Sequence, residues 1–147
     1  MSDSRLRIAL DDDYATAVGR AAYVFAVLEW NVVWCAERLQ PGFLATIRGR
    51  TAGQIGAAFE AIAKVIPDGG LRSQALPLAL RYRELVRLRN SLLHGKPCTA
   101  EDGLQRLSAE GGGVFHLADI HSLADQFADC SIALNQLLHG PLRLPEP

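Results

Sequence analysis

Residues 21–36 have the sequence AAYVFAVLEWNVVWCA, which indicates the fold more clearly than any other segment. It is apolar on almost every side and is interrupted only by Glu29 and Asn31. The stretch is too short and too interrupted to cross a membrane, since a spanning helix needs about 20 consecutive apolar residues. It therefore predicts a helix at the centre of a protein core. We expect its aromatic side chains to pack inside that core: Tyr23, Phe25, Trp30 and Trp34.

Helical signals extend this stretch and recur along the chain. The acidic run Asp11-Asp12-Asp13 supplies a cap ahead of the first helix, and Pro41 ends that helix. Thr51 and Gln54 fit a capping box for the second helix. Apolar residues at steps of three and four then mark one buried face in the second and fourth helices. We predict helices near residues 12–40, 52–66, 73–94 and 119–139.

The helical sequence pattern stops after the third predicted helix. We expect Gly95 to end that helix in the left-handed conformation, with Pro97 beyond it. Two short segments flank Glu110-Gly111-Gly112-Gly113, which predicts a β-hairpin near residues 104–117. Amphipathic helices with short connections predict an all-α fold, a four-helix up-down bundle with a short β-hairpin between helices 3 and 4.

Length and composition favour one domain over residues 1–147. The hydrophobic share of 49% and the charged share of 21% are typical of a globular protein. A net charge of −1 excludes a molecule-wide basic field for nucleic acid. We expect a cytoplasmic protein with reduced thiols and no membrane association, because a signal-peptide segment is missing and the three cysteines are an odd number. The abundance of Arg, Ala and Gly is typical of bacterial proteins from GC-rich genomes.

Neither a metal ion nor an organic cofactor is expected. Cys98, His116 and His121 match no zinc template and lack a fourth ligand. The glycines from Gly111 to Gly113 lack the lysine and the strand-to-helix context of a phosphate-binding loop.

The third helix has the strongest charge asymmetry in the sequence. Between residues 72 and 96 the chain has one acidic residue, Glu84, and six basic ones. The basic residues are Arg72, Arg81, Arg83, Arg87, Arg89 and Lys96. Asn90 and His94 are four residues apart and therefore reach one surface patch, with Arg83 and Arg87 on the same side. This asymmetry permits an anionic ligand along the helix, although a solvated arginine-rich face would have the same pattern.

His94 has two interpretations. An imidazole in the last helical turn, beside Asn90 and fixed arginine charges, could transfer protons near neutral pH. Alternatively, His94 and Gly95 simply cap the helix.

Arg89 is out of place on the helical wheel. It projects from the apolar arc, about 140° from His94, and a charge in that position needs a partner. Glu29 is the matching carboxylate in the first helix. We predict that Glu29 and Arg89 form a buried bidentate ion pair across the contact between helices 1 and 3. Arg89 then either supports the core or contacts a ligand.

The string Leu88-Arg89-Asn90-Ser91-Leu92-Leu93-His94-Gly95 resembles the HEPN superfamily (higher-eukaryote and prokaryote nucleotide-binding domains), and small bacterial members in particular. The family motif is an arginine, four to six further residues and a histidine. Arg89 and His94 match it with four residues between them, and Asn90 matches the polar residue that commonly follows the arginine. The predicted bundle extends the resemblance loosely over most of the chain.

The resemblance implies metal-independent RNA cleavage in the active members, where the 2′-hydroxyl attacks the adjacent phosphate and leaves a cyclic phosphate end. If the family roles apply to the matching residues, His94 would transfer the proton and Arg89 would stabilise the phosphorane charge. Asn90 would orient groups by hydrogen bonding. Family sites are usually composite, which implies a homodimer with helix 3 near its two-fold axis. The nearby basic residues that would bind substrate are Arg83, Arg87 and Lys96.

A noncatalytic interpretation stays open beside the enzymatic one. Many members of the superfamily are binding or dimerisation modules, and some act beside a nucleotidyltransferase in a toxin–antitoxin-type system. The expected partners are therefore a second copy of the chain, RNA, and a nucleotidyltransferase or antitoxin protein.

Overall fold

The computed structural model describes residues 8–147. Within this range four α-helices, a short 3-10 helix and a small antiparallel sheet form. The helices are α1 (Asp12–Leu39), α2 (Ala52–Lys64), α3 (Gly69–Leu93) and α4 (Leu117–His139). The strands are β1 (Lys96–Thr99), β2 (Gln105–Ser108) and β3 (Val114–Phe115). The predicted all-α class, with a short hairpin between the third and fourth helices, is confirmed.

Local capping signals set where the helices begin. The Asp11 carboxylate accepts a backbone N–H at 2.8 Å at the start of α1. Thr51 and Gln54 form the predicted capping box at the start of α2. At the start of α3, the Asp68 carboxylate accepts the Leu71 N–H at 2.7 Å. This helix therefore begins at Gly69, four residues before the predicted range.

Helices α1 and α4 lie side by side and run in the same direction. The Asn31 side chain donates to the carbonyl and hydroxyl oxygens of Ser131, at 3.2 and 2.9 Å. Further along both segments, Arg38 donates to the Leu142 carbonyl at 3.3 Å. Contacts at increasing residue numbers on both sides define a parallel pair.

Helices α2 and α3 make the bundle different from a simple up-down arrangement. The ends of α1 and α2 line one pocket together with the start of α3, so α1 and α2 point the same way and α3 opposes them. The connection over residues 40–51 makes this possible. Twelve residues can span about 40 Å, whereas the 13 residues of α2 rise by about 20 Å. The chain can therefore return along the bundle before α2 begins.

The centre of the core is an aromatic cluster between α1, α3 and α4. Phe25 is 3% exposed. Its ring stacks on Tyr82 with centroids 5.9 Å apart and meets Phe127 edge-on at 5.1 Å. The predicted apolar stripe of α4 is buried throughout: Ile120, Leu123, Phe127, Cys130, Leu134 and Leu137.

One side of α1 faces outward, contrary to the expectation that its aromatic residues are internal. Tyr23 is 72% exposed and Trp30 is 50% exposed, whereas Phe25 is buried. The other three helices cover only part of the circumference of α1, because the short helix α2 packs mainly on α3. None of the helices within residues 8–147 is long and apolar enough to cross a membrane.

The sheet closes the end of the bundle where α1 begins. Strand β1, which was not predicted, pairs with β2 so that Lys96 lies opposite Ser108. The Tyr14 hydroxyl of α1 donates to the Phe115 carbonyl at 2.8 Å and accepts the Leu107 N–H at 3.0 Å. These bonds fix the sheet to α1 and hold the end of β2 beside the last turn of α3.

Candidate functional site

Asn90, His94 and Lys96 line one surface groove with a volume of about 580 Å³. The last turn of α3 supplies Asn90, the C-cap of this helix supplies His94, and the first residue of β1 supplies Lys96. The opposite wall comes from the end of β2 and the turn after it. The other lining residues are Ser91, Ser108, Ala109, Glu110 and Gly111.

Gly95 allows the two walls of the groove to approach. A Cβ atom at this position would lie 2.9 Å from the Ser108 carbonyl oxygen and 3.1 Å from the Leu107 Cβ. The predicted left-handed conformation of Gly95 is wrong, since the glycines with positive φ within residues 8–147 do not include it. The helix instead ends at Leu93, and the C-cap residue His94 has a φ of −98°. Glycine is needed here for space between the walls.

The hairpin wall contains the site residues that sequence reasoning missed. Gly111 and Gly112 both have φ of +99°, a conformation that L side chains rarely adopt, and they turn the chain back toward β3. The Glu110 N–H donates to the Ser91 hydroxyl at 3.4 Å, which ties this turn to α3. The run of three glycines predicts the turn. The position of the turn over His94 depends on the β1–β2 register, which the local sequence does not determine.

Arg89 lies next to the groove without lining it. Its guanidinium carbon is 4.5 Å from the centroid of the Phe25 ring. Its Nη1 donates to Asn90 Oδ1 at 2.6 Å. The side chain is half-buried, so Arg89 combines a core contact with a contact to a groove residue.

Glu29 and Arg89 do not form the predicted ion pair. Glu29 instead accepts the Tyr82 hydroxyl at 3.1 Å, and no ion pair within 4.0 Å joins Glu29 to Arg89 in the described part of the chain. Both residues are only half-buried, so water limits the cost of leaving the two charges apart. Burial, and then the charge of Glu29, raises the pKa of Tyr82, which keeps its hydroxyl protonated as a donor.

The predicted substrate-binding arginines lie outside the groove. Arg83 pairs with Glu60 of α2, and Lys64 pairs with the same carboxylate at 2.6 Å. Hydrogen bonds from Lys64 and then from Arg83 hold the pKa of Glu60 below its ordinary value. Arg87 is exposed on α3 and does not line the groove. Of the three predicted substrate-binding residues, only Lys96 is in it.

The groove combines groups suited to an anionic ligand. His94 offers an imidazole, Lys96 an ammonium group, and Asn90 a side-chain amide. Glu110 is the acidic residue of the lining. No cluster of three or more His, Cys, Asp or Glu side chains able to hold a metal ion occurs within residues 8–147.

Comparison of the chain with protein-family models, with curated proteins and with solved structures gives no match.

Proposed function

We propose that the groove binds RNA and that the protein is a metal-independent endoribonuclease of HEPN type, acting as a homodimer. The observation that supports this most directly is the convergence of Asn90, His94 and Lys96 on one groove. Two of these residues belong to the motif Arg89-Asn90 to His94 on which the resemblance rests. Lys96 adds a positive charge from a separate element.

The reaction is an internal displacement at phosphorus. The 2′-oxygen forms a bond to the adjacent phosphorus while the bond to the 5′-oxygen breaks, leaving a 2′,3′-cyclic phosphate and a 5′-hydroxyl. His94 takes the proton from the 2′-hydroxyl, or delivers one to the departing 5′-oxygen, as a general base or acid. The Lys96 ammonium and the Asn90 amide donate hydrogen bonds to the phosphoryl oxygens, where charge develops. In a composite dimer site, one His94 from each copy would serve the two proton transfers.

The side of α3 that carries Asn90 and His94 offers a further contact for an RNA backbone. Arg87 lies two helical turns before His94 on the same side, about 10 Å away along the axis. It is exposed and would contact a neighbouring phosphate. Contacts of this kind are independent of base identity and weaken with rising salt concentration.

Incubation of the purified protein with single-stranded RNA in excess EDTA tests the proposal. We expect cleavage at some pH between about 5 and 8, the range in which histidine changes charge, and products that end in 2′,3′-cyclic phosphate. Intact RNA throughout this range, or products with 3′-hydroxyl ends, would contradict the proposal.

The outward side of α1 favours a second candidate function, a noncatalytic dimerisation module. Tyr23, Val27 and Trp30 are exposed at steps of four and three and form an apolar stripe on one side of the helix. In an antiparallel two-fold pairing of α1 with its copy, Tyr23 of each chain meets Trp30 of the other around a centre near Val27. We propose that this stripe is the dimer contact of such a module, in place of a composite contact along α3. In this function the dimer would bind a nucleotidyltransferase or antitoxin and would not cleave RNA.

Trp30→Glu tests the dimer contact. The protein and the control Leu80→Glu, which changes an exposed leucine on α3, are expected to have twice the chain mass of 15.9 kDa by light scattering after size exclusion. Trp30→Glu is expected to have the mass of one chain, because the new charge would be buried in an apolar contact. A monomeric parent protein, or a dimer that survives Trp30→Glu, would contradict the assignment.

A further inference from the structure

We infer that Arg89 is a positioning residue, which orients the Asn90 amide toward the groove and does not touch the substrate itself. The inference rests on the proposed function of the groove, and it differs from the direct phosphate contact that the family resemblance implies for the arginine.

Arg89 contacts Asn90 through a hydrogen bond between their side chains. Arg89 Nη1 donates to Asn90 Oδ1 at 2.6 Å. A guanidinium has only donors, whereas an amide side chain has an acceptor oxygen on one side and two N–H donors on the other. Arg89 therefore selects the orientation of Asn90 in which Oδ1 faces the guanidinium. The Nδ2 group is then turned away from Arg89 and presents its donors to the groove that Asn90 lines.

Orientation matters because the ligand is an anion. In the flipped orientation the amide would present its oxygen to a phosphoryl oxygen, and the two acceptors would repel each other. Donors that are fixed before the reaction need no reorganisation when charge develops, which is the main source of their effect on rate. A positively charged neighbour that accepts no hydrogen bond is suited to holding an amide in one orientation.

The surroundings of Arg89 hold its guanidinium in place. It lies over the Phe25 ring, with its carbon 4.5 Å from the ring centroid, an attractive arrangement for a cation. Phe25 is itself buried against Tyr82. The Tyr82 hydroxyl donates to Glu29, so the nearby carboxylate has a partner other than Arg89. Because Glu29 does not draw the guanidinium away, Arg89 stays in contact with Asn90.

A double-mutant cycle on RNA cleavage tests the inference, with Arg89→Met and Asn90→Ala as the single changes. Arg89→Met is expected to lower kcat/KM by about 10²-fold in the parent protein. In the Asn90→Ala background the same change is expected to alter kcat/KM by no more than about twofold, because its effect passes through the missing amide. Losses that multiply in the double variant would overturn the inference.

Arg81→Met is the matched control for loss of a guanidinium from α3. Arg81 lies outside the groove and pairs with Glu84 at 2.8 Å and with Gln126 of α4. Its replacement is expected to leave kcat/KM unchanged. If Arg89→Met fails to fold, Arg89→Lys replaces it in the cycle, since lysine keeps the charge but lacks the planar fork. We expect Arg89→Lys to lower kcat/KM less than Arg89→Met does, and its effect should likewise disappear in the Asn90→Ala background.

The side-chain amide signals of Asn90 in an NMR spectrum give a readout that does not depend on cleavage. They are expected to shift in Arg89→Met and Arg89→Lys and to stay in place in Arg81→Met. If the parent protein does not cleave RNA, the proposed enzymatic function fails. The NMR measurement would still show whether Arg89 contacts the Asn90 amide. Unchanged Asn90 signals in both Arg89 variants would overturn the positioning role.

Discussion

Replacement of His94 by alanine is expected to lower RNA cleavage by about 10²–10⁴-fold, the usual contribution of a positioned acid or base. The imidazole is the group in the groove whose proton chemistry suits the displacement at phosphorus. The His94 backbone N–H donates to the Asn90 carbonyl at 2.9 Å, and the His94 side chain is exposed. Loss of the side chain should therefore change the free energy of unfolding by only about 0.5 kcal/mol or less. kcat/KM on single-stranded RNA and a denaturation curve measure the two effects.

His121→Ala is the matched control for His94→Ala. His121 is an exposed histidine on α4 and lines a different pocket, between α1 and α4. We expect this variant to cleave RNA at the parent rate. Cleavage that survives His94→Ala, or that falls equally in both variants, would exclude His94 as the catalytic group.

Replacement of Phe25 by alanine is expected to lower the free energy of unfolding by about 3–5 kcal/mol. The ring contacts Tyr82, Phe127 and the Arg89 guanidinium, so its loss opens a cavity where α1, α3 and α4 meet. A change of this size is a large share of the 5–15 kcal/mol that stabilises a typical domain. The midpoint and slope of urea denaturation give the measured difference.

Ile132→Ala is the control for the Phe25 variant. Ile132 is an apolar residue on α4 that is 56% exposed, and its replacement should change the free energy of unfolding by about 0.5 kcal/mol or less. If Phe25→Ala costs no more than this control, the aromatic cluster is not the centre of the core.

The helices could be predicted because their signals are local. Asp11 accepts a hydrogen bond from a backbone N–H three residues ahead, and Thr51 and Gln54 bond each other's backbone within one turn. The approach of Asn90 and His94 to one groove follows from helical spacing in the same way.

The features that sequence reasoning missed depend on pairing over long distances along the chain. The second wall of the groove requires the register in which Lys96 lies opposite Ser108. The direction of α2 depends on the path of residues 40–51, whose length permits either direction. The outward side of α1 is apolar, and hydrophobicity alone does not distinguish a core surface from an unpaired one.

The interpretation of Arg89 as a residue that supports the core agrees with its contacts, whereas a direct contact with a ligand stays a prediction. Its guanidinium lies over the ring of Phe25, as expected for a residue in the apolar arc, and it also bonds to the motif residue Asn90. The predicted partner Glu29 bonds to Tyr82 instead. Helical position correctly placed both charges near the contact of α1 with α3, but the choice of partner depends on a tyrosine hydroxyl that a helical wheel does not locate.

Titration of isotope-labelled protein with a short single-stranded RNA directly tests whether the groove is the RNA site. Methoxy groups in place of the 2′-hydroxyls prevent cleavage during the measurement. We predict that backbone and side-chain signals shift on both walls of the groove, at Asn90, His94, Lys96 and Gly111. No shift at saturating RNA, or shifts confined to surfaces away from these residues, would contradict it.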